Sequence, residues 1–226
     1  MKISIFILFI SFSLVGCTET DKNPGSSNDN FYYLALGDSY TIGESVAKNE
    51  RYPVQLGDRL FPNFPNKEVR IYAQTGWTTQ DLALSLDTRT DFRQSYDLVS
   101  LLIGVNNQYQ GRSLENYKVE FRGLLEQAIN FAGNNAGRVF VISIPDYAFT
   151  PFGGGNTTVS QEIDTFNAAN KSITEEYGIQ YFDITPISRE GLNEPELVAP
   201  DGLHRSGEQY RRWVELMADD VTRMLE

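Results

Sequence analysis

The chain has 226 residues, enough for one domain with a sizeable core. Hydrophobic residues at 41% and charged residues at 22% exclude an intrinsically disordered polymer. A formal net charge of −11 excludes nucleic acid or an anionic membrane surface as the main partner, because phosphates would be repelled.

At the N-terminus, Lys2 supplies a positive charge and residues 3–15 form an apolar run broken only by serines. The run is too short to span a bilayer, which takes ~20 residues, and reads as the apolar region of a signal peptide. Leu14-Val15-Gly16-Cys17 resembles the lipobox of bacterial lipoproteins. The resemblance implies a signal peptide over residues 1–16, acylation of Cys17, and anchoring in the cell envelope. Residues 17–30 then form the lipidated cysteine and a polar tether containing Pro24-Gly25-Ser26-Ser27. Cys17 is the single cysteine and His204 the single histidine, so no intrachain disulfide or Cys/His zinc site is expected.

From Phe31 short apolar runs alternate with helical periods over one domain, residues 31–226. Phe31–Leu36, Val69–Ala73, Leu98–Ile103, Val139–Ile144 and Tyr181–Ile184 show little polar alternation. That is the pattern of parallel strands covered on both faces. Pro53 opens a helix near Val54–Phe61. Thr78 and Asp81 suggest a capping box ahead of Leu82–Leu86. Ser113 is a plausible N-cap for the stripe Tyr117, Phe121, Leu124, Leu125 and Ala128. A further helix is expected near Ser160–Tyr177. Ser206 and Gln209 should cap the last one, with Tyr210, Trp213, Val214, Met217, Val221 and Met224 on its core face. The expectation is an α/β fold: a flavodoxin-like three-layer α/β/α sandwich with a parallel sheet of about five strands.

The chemistry-bearing residues fall at strand ends. Strand one runs into Gly37-Asp38-Ser39, which puts a serine hydroxyl at the carboxyl edge of the sheet, where such folds bind ligands. In Asp201-Gly202-Leu203-His204, an i, i+3 separation on one turn brings carboxylate and imidazole within reach of each other. Gly76 follows strand two with an unhindered N–H, and the side-chain amide of Asn106 follows strand three. Pro145 to Phe152, with Gly153-Gly154-Gly155 behind it, reads as a mobile aromatic wall of a substrate pocket to which Tyr109, Phe149 and Phe152 contribute. Those glycines lack the lysine and spacing of a phosphate-binding loop.

Gly37-Asp38-Ser39-Tyr40, then Gly76, then Gly104-Val105-Asn106-Asn107, then Asp201-Gly202-Leu203-His204 resemble, in order, the four blocks of the SGNH/GDSL hydrolases. The resemblance implies a serine esterase needing no cofactor or metal. Ser39 would be its nucleophile, His204 its base and Asp201 the residue that orients the base. The Ser39 and Gly76 N–H groups and the Asn106 amide would form the oxyanion hole. Tyr40 stands where the family name has leucine and is not expected to affect chemistry; Asn107 stands where aspartate is common, which leaves its bonding open. Substrates implied are acetyl or small acyl esters on carbohydrates, or lipid and lysophospholipid acyl esters. The alternative on the same scaffold is a non-catalytic envelope lipoprotein that binds a glycan or small ligand.

Overall fold

The computed structural model describes residues 30–62 and 66–226. The expected signal peptide, Cys17 and the expected tether as far as residue 29 lie outside the described residues. Asn30, expected as the last tether residue, is instead the first residue of the sheet.

Five strands form one parallel sheet: β1 (Asn30–Gly37), β2 (Asn66–Ala73), β3 (Leu98–Leu102), β4 (Val139–Ile142) and β5 (Gln180–Phe182). Their spatial order is β2-β1-β3-β4-β5, so the chain reverses its direction of winding between β1 and β3. This is the flavodoxin-like order. Tyr33, Leu34, Ala35 and Leu36 on β1, and every residue of β3 and β4, are buried, which explains the absence of polar alternation.

Eight α-helices complete the described layers: α1 (Ser39–Ile42), α2 (Tyr52–Leu60), α3 (Thr79–Asp87), α4 (Val105–Tyr109), α5 (Leu114–Phe131), α6 (Thr157–Glu176), α7 (Thr185–Ser188) and α8 (Gly207–Leu225). Helix α2 packs on α8, α3 packs on α5, and α5 packs on α6. Tyr52, Tyr210 and Trp213 join the first pair, with the Tyr210 and Trp213 rings 4.9 Å apart. None of the described helices is long and apolar enough to cross a membrane.

The expected caps are mostly in place. Thr78 and Asp81 form the reciprocal box at α3, and Ser113 accepts from Asn116 N at α5. Helix α6, expected near Ser160–Tyr177, begins at Thr157, capped by Asn156, whose Oδ1 accepts from Thr158 N and Val159 N. One expected cap differs. At α8 Ser206 is the cap, but Gln209 contributes only its backbone N–H, at 3.2 Å, and its side chain is buried elsewhere.

Candidate active site

The crossover puts the carboxyl ends of β1 and β3 side by side, with Gly37 in register with Leu102. The segments after both strands therefore open onto one cleft. Asp38 caps α1, its Oδ1 accepting from Tyr40 N at 3.0 Å, and Ser39 is the first helical residue. The Asp38 carboxyl is wholly buried. Burial pushes it up to about 7, against the opposing pull of backbone N–H groups, those of Tyr40 and Gly104 foremost.

Asp201 and His204 are joined by a bend, not a helical turn, with Gly202 at φ 75°. Asp201 Oδ1 accepts from the backbone N–H groups of Leu203 and His204, both at 2.9 Å. Its Oδ2 lies 2.6 Å from His204 Nδ1 and accepts from Ser45 Oγ at 2.6 Å. Burial alone would raise this carboxyl. The hydrogen bonds from Ser45, Leu203 and His204 outweigh it and hold the group well below the usual carboxylate range. An imidazole whose Nδ1 proton faces a carboxylate has its Nε2 lone pair free to accept a proton.

Gly76 has φ 85°, and no atom lies within 4 Å of where a Cβ would be, so its backbone stands open to the cleft. Asn106 sits in the first turn of α4, behind Gly104. That glycine has φ 133°, and a Cβ there would come within 2.8 Å of Ile144 and Tyr117. Asn106 Nδ2 donates one hydrogen to Trp77 O at 2.9 Å, which fixes the amide and leaves its second hydrogen available.

Asn107 answers the question its sequence position raised. Its Oδ1 accepts from Thr79 N at 3.0 Å, one of the N–H groups at the start of α3 that the helix itself cannot satisfy. Its Nδ2 therefore faces Thr79 Oγ1, at 2.7 Å. The single hydroxyl hydrogen of Thr79 goes to the Glu120 carboxylate. Toward residue 107 the hydroxyl can only accept, so that residue must donate. An amide does so and an ionised aspartate cannot.

Ser39, Gly76, Asn106 and His204 line one cavity of about 230 Å³ with Tyr40, Thr75, Val105, Tyr109, Tyr147, Phe152 and Leu203. Asp201 bonds Nδ1 of His204 and is not among the residues that line this cavity. Tyr109 and Phe152 stand at the rim, 61% and 55% exposed, and with Tyr147 form a triangle of rings 6.1–6.4 Å apart. Phe149, expected in the wall, does not line the cavity; its ring lies 6.0 Å from the Arg189 guanidinium, and Tyr147 takes the inward position. Nor is the wall free-standing. Residues 147–149 form a 3-10 turn, Thr150 Oγ1 bonds Tyr147 O at 2.7 Å, and Phe152 N bonds Gly202 O at 2.9 Å. The buried ring of Tyr40 meets that of His204 edge-on at 5.6 Å. Sequence reasoning missed Ser45; Tyr147 and Leu203 lay inside the aromatic wall segment and the last motif block but were not singled out.

A family model described as the GDSL-like Lipase/Acylhydrolase family matches residues 35–212. No curated protein matches the chain in sequence. Among solved structures, the chain is similar to TesA, at 14% identity and a TM-score of 0.68, over 85% of this chain and 99% of that one. Axe2, an acetylxylan esterase from Geobacillus stearothermophilus, is 20% identical with a TM-score of 0.61, over 86% and 94%. The psychrotrophic esterase EstA from Pseudoalteromonas sp., in a structure inhibited by monoethylphosphonate, is 15% identical with a TM-score of 0.64, over 85% and 97%. At such identities these three speak for the fold alone.

Proposed function

The chain belongs to the GDSL-like lipase/acylhydrolase family and is a hydrolase of ester bonds, and from that premise we propose that Ser39, His204 and Asp201 are its catalytic triad. The observation that carries the proposal is the 2.6 Å contact of His204 Nδ1 with Asp201 Oδ2, on a ring that shares its cavity with Ser39, Gly76 and Asn106. Ser39 Oγ attacks the ester carbonyl carbon while its proton passes to His204 Nε2. The carbonyl oxygen becomes an oxyanion held by the Ser39 and Gly76 N–H groups and the second Asn106 amide hydrogen. Collapse breaks the bond to the alcohol, which leaves with the proton from His204. Water then attacks the acyl-serine, its proton going to His204, and the acid departs as Ser39 regains its hydrogen. Asp201 holds the ring in the productive tautomer and stabilises the imidazolium.

For substrate, the reading is an ester whose acyl group is apolar and of modest length. Tyr40, Val105, Tyr109, Tyr147, Phe152 and Leu203 supply most of the wall, around a small polar centre. The lipobox supports a further proposal, that Cys17 is acylated and holds the hydrolase domain in the bacterial cell envelope by a lipid anchor. Incorporation of labelled palmitate, lost in Cys17→Ser, tests it.

The site is tested by hydrolysis of p-nitrophenyl esters from acetate to decanoate, with Ser39→Ala beside the wild type. Activity should fall by a factor on the order of 10⁴ or more in the variant. Phe152→Ala should raise KM for the longer esters and leave acetate nearly unchanged. Hydrolysis that survives Ser39→Ala would sink the nucleophile assignment, and absence of any esterolysis would favour a binding role for the cavity.

A further inference from the structure

Ser45 lies outside the four motif blocks and outside the cavity, yet its hydroxyl donates to the oxygen of Asp201 that faces His204. Among the described residues it is the one side chain besides His204 that bonds this carboxylate. Its backbone is also unusual. Ser45 has φ 66°, in the left-handed region that glycine enters freely and serine does not. Two residues earlier, at φ 68°, the chain uses glycine. A strained serine where glycine would be easier points to a use for the hydroxyl.

The connections of the surrounding loop say what that use is. The N–H groups of Gly43 and Glu44 both return to Ser39 O, the latter at 3.0 Å, so the loop is an extension of the turn that carries Ser39. The Glu44 carboxylate accepts from Thr75 Oγ1, beside Gly76 in the cavity wall. Ser45 then reaches across 156 residues of sequence to Asp201. Residues 43–45 thus bond three separate segments of the site: the Ser39 turn, the Gly76 loop and the Asp201–His204 bend.

Resting on the triad reading above, we propose that Ser45 is a positioning residue that fixes the Asp201 carboxylate, and through it the His204 ring, relative to Ser39. Oδ1 is held by two backbone N–H groups of its own bend, which set the carboxylate only relative to that bend. The Ser45 bond refers it to the segment bearing Ser39.

The test is a double-mutant cycle in the full-length protein, with the p-nitrophenyl ester that the wild type turns over best. It compares Ser45→Gly, Asp201→Ala and the two together. Glycine suits φ 66°, which offsets part of the lost hydrogen bond, so Ser45→Gly should fold and melt within a few degrees of the wild type. Its kcat should nonetheless fall about 2- to 10-fold, the rate equivalent of one ordinary hydrogen bond, with KM unchanged. In the Asp201→Ala background the same substitution should cost nothing further. An unchanged kcat in Ser45→Gly would overturn the proposal, as would an equal loss with and without Asp201. Activity that persists in Ser39→Ala is a separate failure: it removes the triad reading itself, and this inference with it.

Discussion

The pairing of Asn107 with Thr79 makes a sharp prediction about the position where aspartate is common in this family. In Asn107→Asp, one carboxylate oxygen can still accept from Thr79 N, but the other faces the Thr79 hydroxyl, whose hydrogen is already given to Glu120. Two acceptors then meet in a buried place, with a second negative charge added near Glu120. Losing a buried hydrogen bond and leaving its partner unsatisfied costs about 1–3 kcal/mol. For a domain of this size that is a fall in melting temperature of roughly 2–12 °C. Glu120→Gln alone should cost little, because the glutamine carbonyl still accepts from Thr79. Combined with Asn107→Asp it should recover part of the loss, since the glutamine amide can donate to Thr79 Oγ1 and free the hydroxyl to donate to the new carboxylate. The coupling should be favourable by about 1–2 kcal/mol in urea unfolding of the four proteins. A fully stable Asn107→Asp, or losses that simply add in the double variant, would refute the assignment of donors and acceptors around Thr79.

Asp38 should make stability fall as pH rises: its folded pKa of about 7 lies above the unfolded 3.8, so the folded state binds the extra proton between those values. Asp38→Asn, which keeps an acceptor for Tyr40 N but cannot ionise, should gain on the wild type by up to roughly 4 kcal/mol between pH 4 and pH 8 in urea unfolding; a difference that does not change with pH would contradict this. The glycines at positions 37 and 76 should respond in opposite ways to alanine. A Cβ at Gly37 would stand 2.1 Å from Thr41 Oγ1 and 2.3 Å from Leu102 O, so Gly37→Ala should fail to fold or melt far lower, whereas Gly76→Ala meets nothing and should lose only the ~1–2 kcal/mol of a left-handed alanine. Thermal unfolding followed by circular dichroism separates the two.

What could be read from the sequence follows a physical division. Strands β1, β3 and β4 announce themselves because a parallel strand covered on both faces must be apolar throughout. The Tyr210–Val221 stripe announces α8 because one face of a helix repeats at a fixed period. Ser39, His204, Gly76 and Asn106 could be picked out because each closes a strand or a short motif of restricted chemistry, and the strand order brings those ends together. Illegible were the features set by a partner remote in sequence. Asn107 makes sense only with Glu120 bonded to the same threonine, 41 residues beyond it, and Ser45 only with Asp201. Phe149 and Tyr147 could not be told apart, because Asp146, which caps the 3-10 turn that sends one ring into the cavity and the other toward Arg189, is itself bonded by the remote Ser188 and Arg189. The same division bears on how the site can change. Ser45 and Asn107 each depend on one other residue, Asp201 and Thr79 respectively, for their side-chain hydrogen bonds. A substitution at Asp201, or at Glu120 on the threonine that Asn107 bonds, changes what each position requires, so the Asp201→Ala and Glu120→Gln backgrounds complete what the single variants measure.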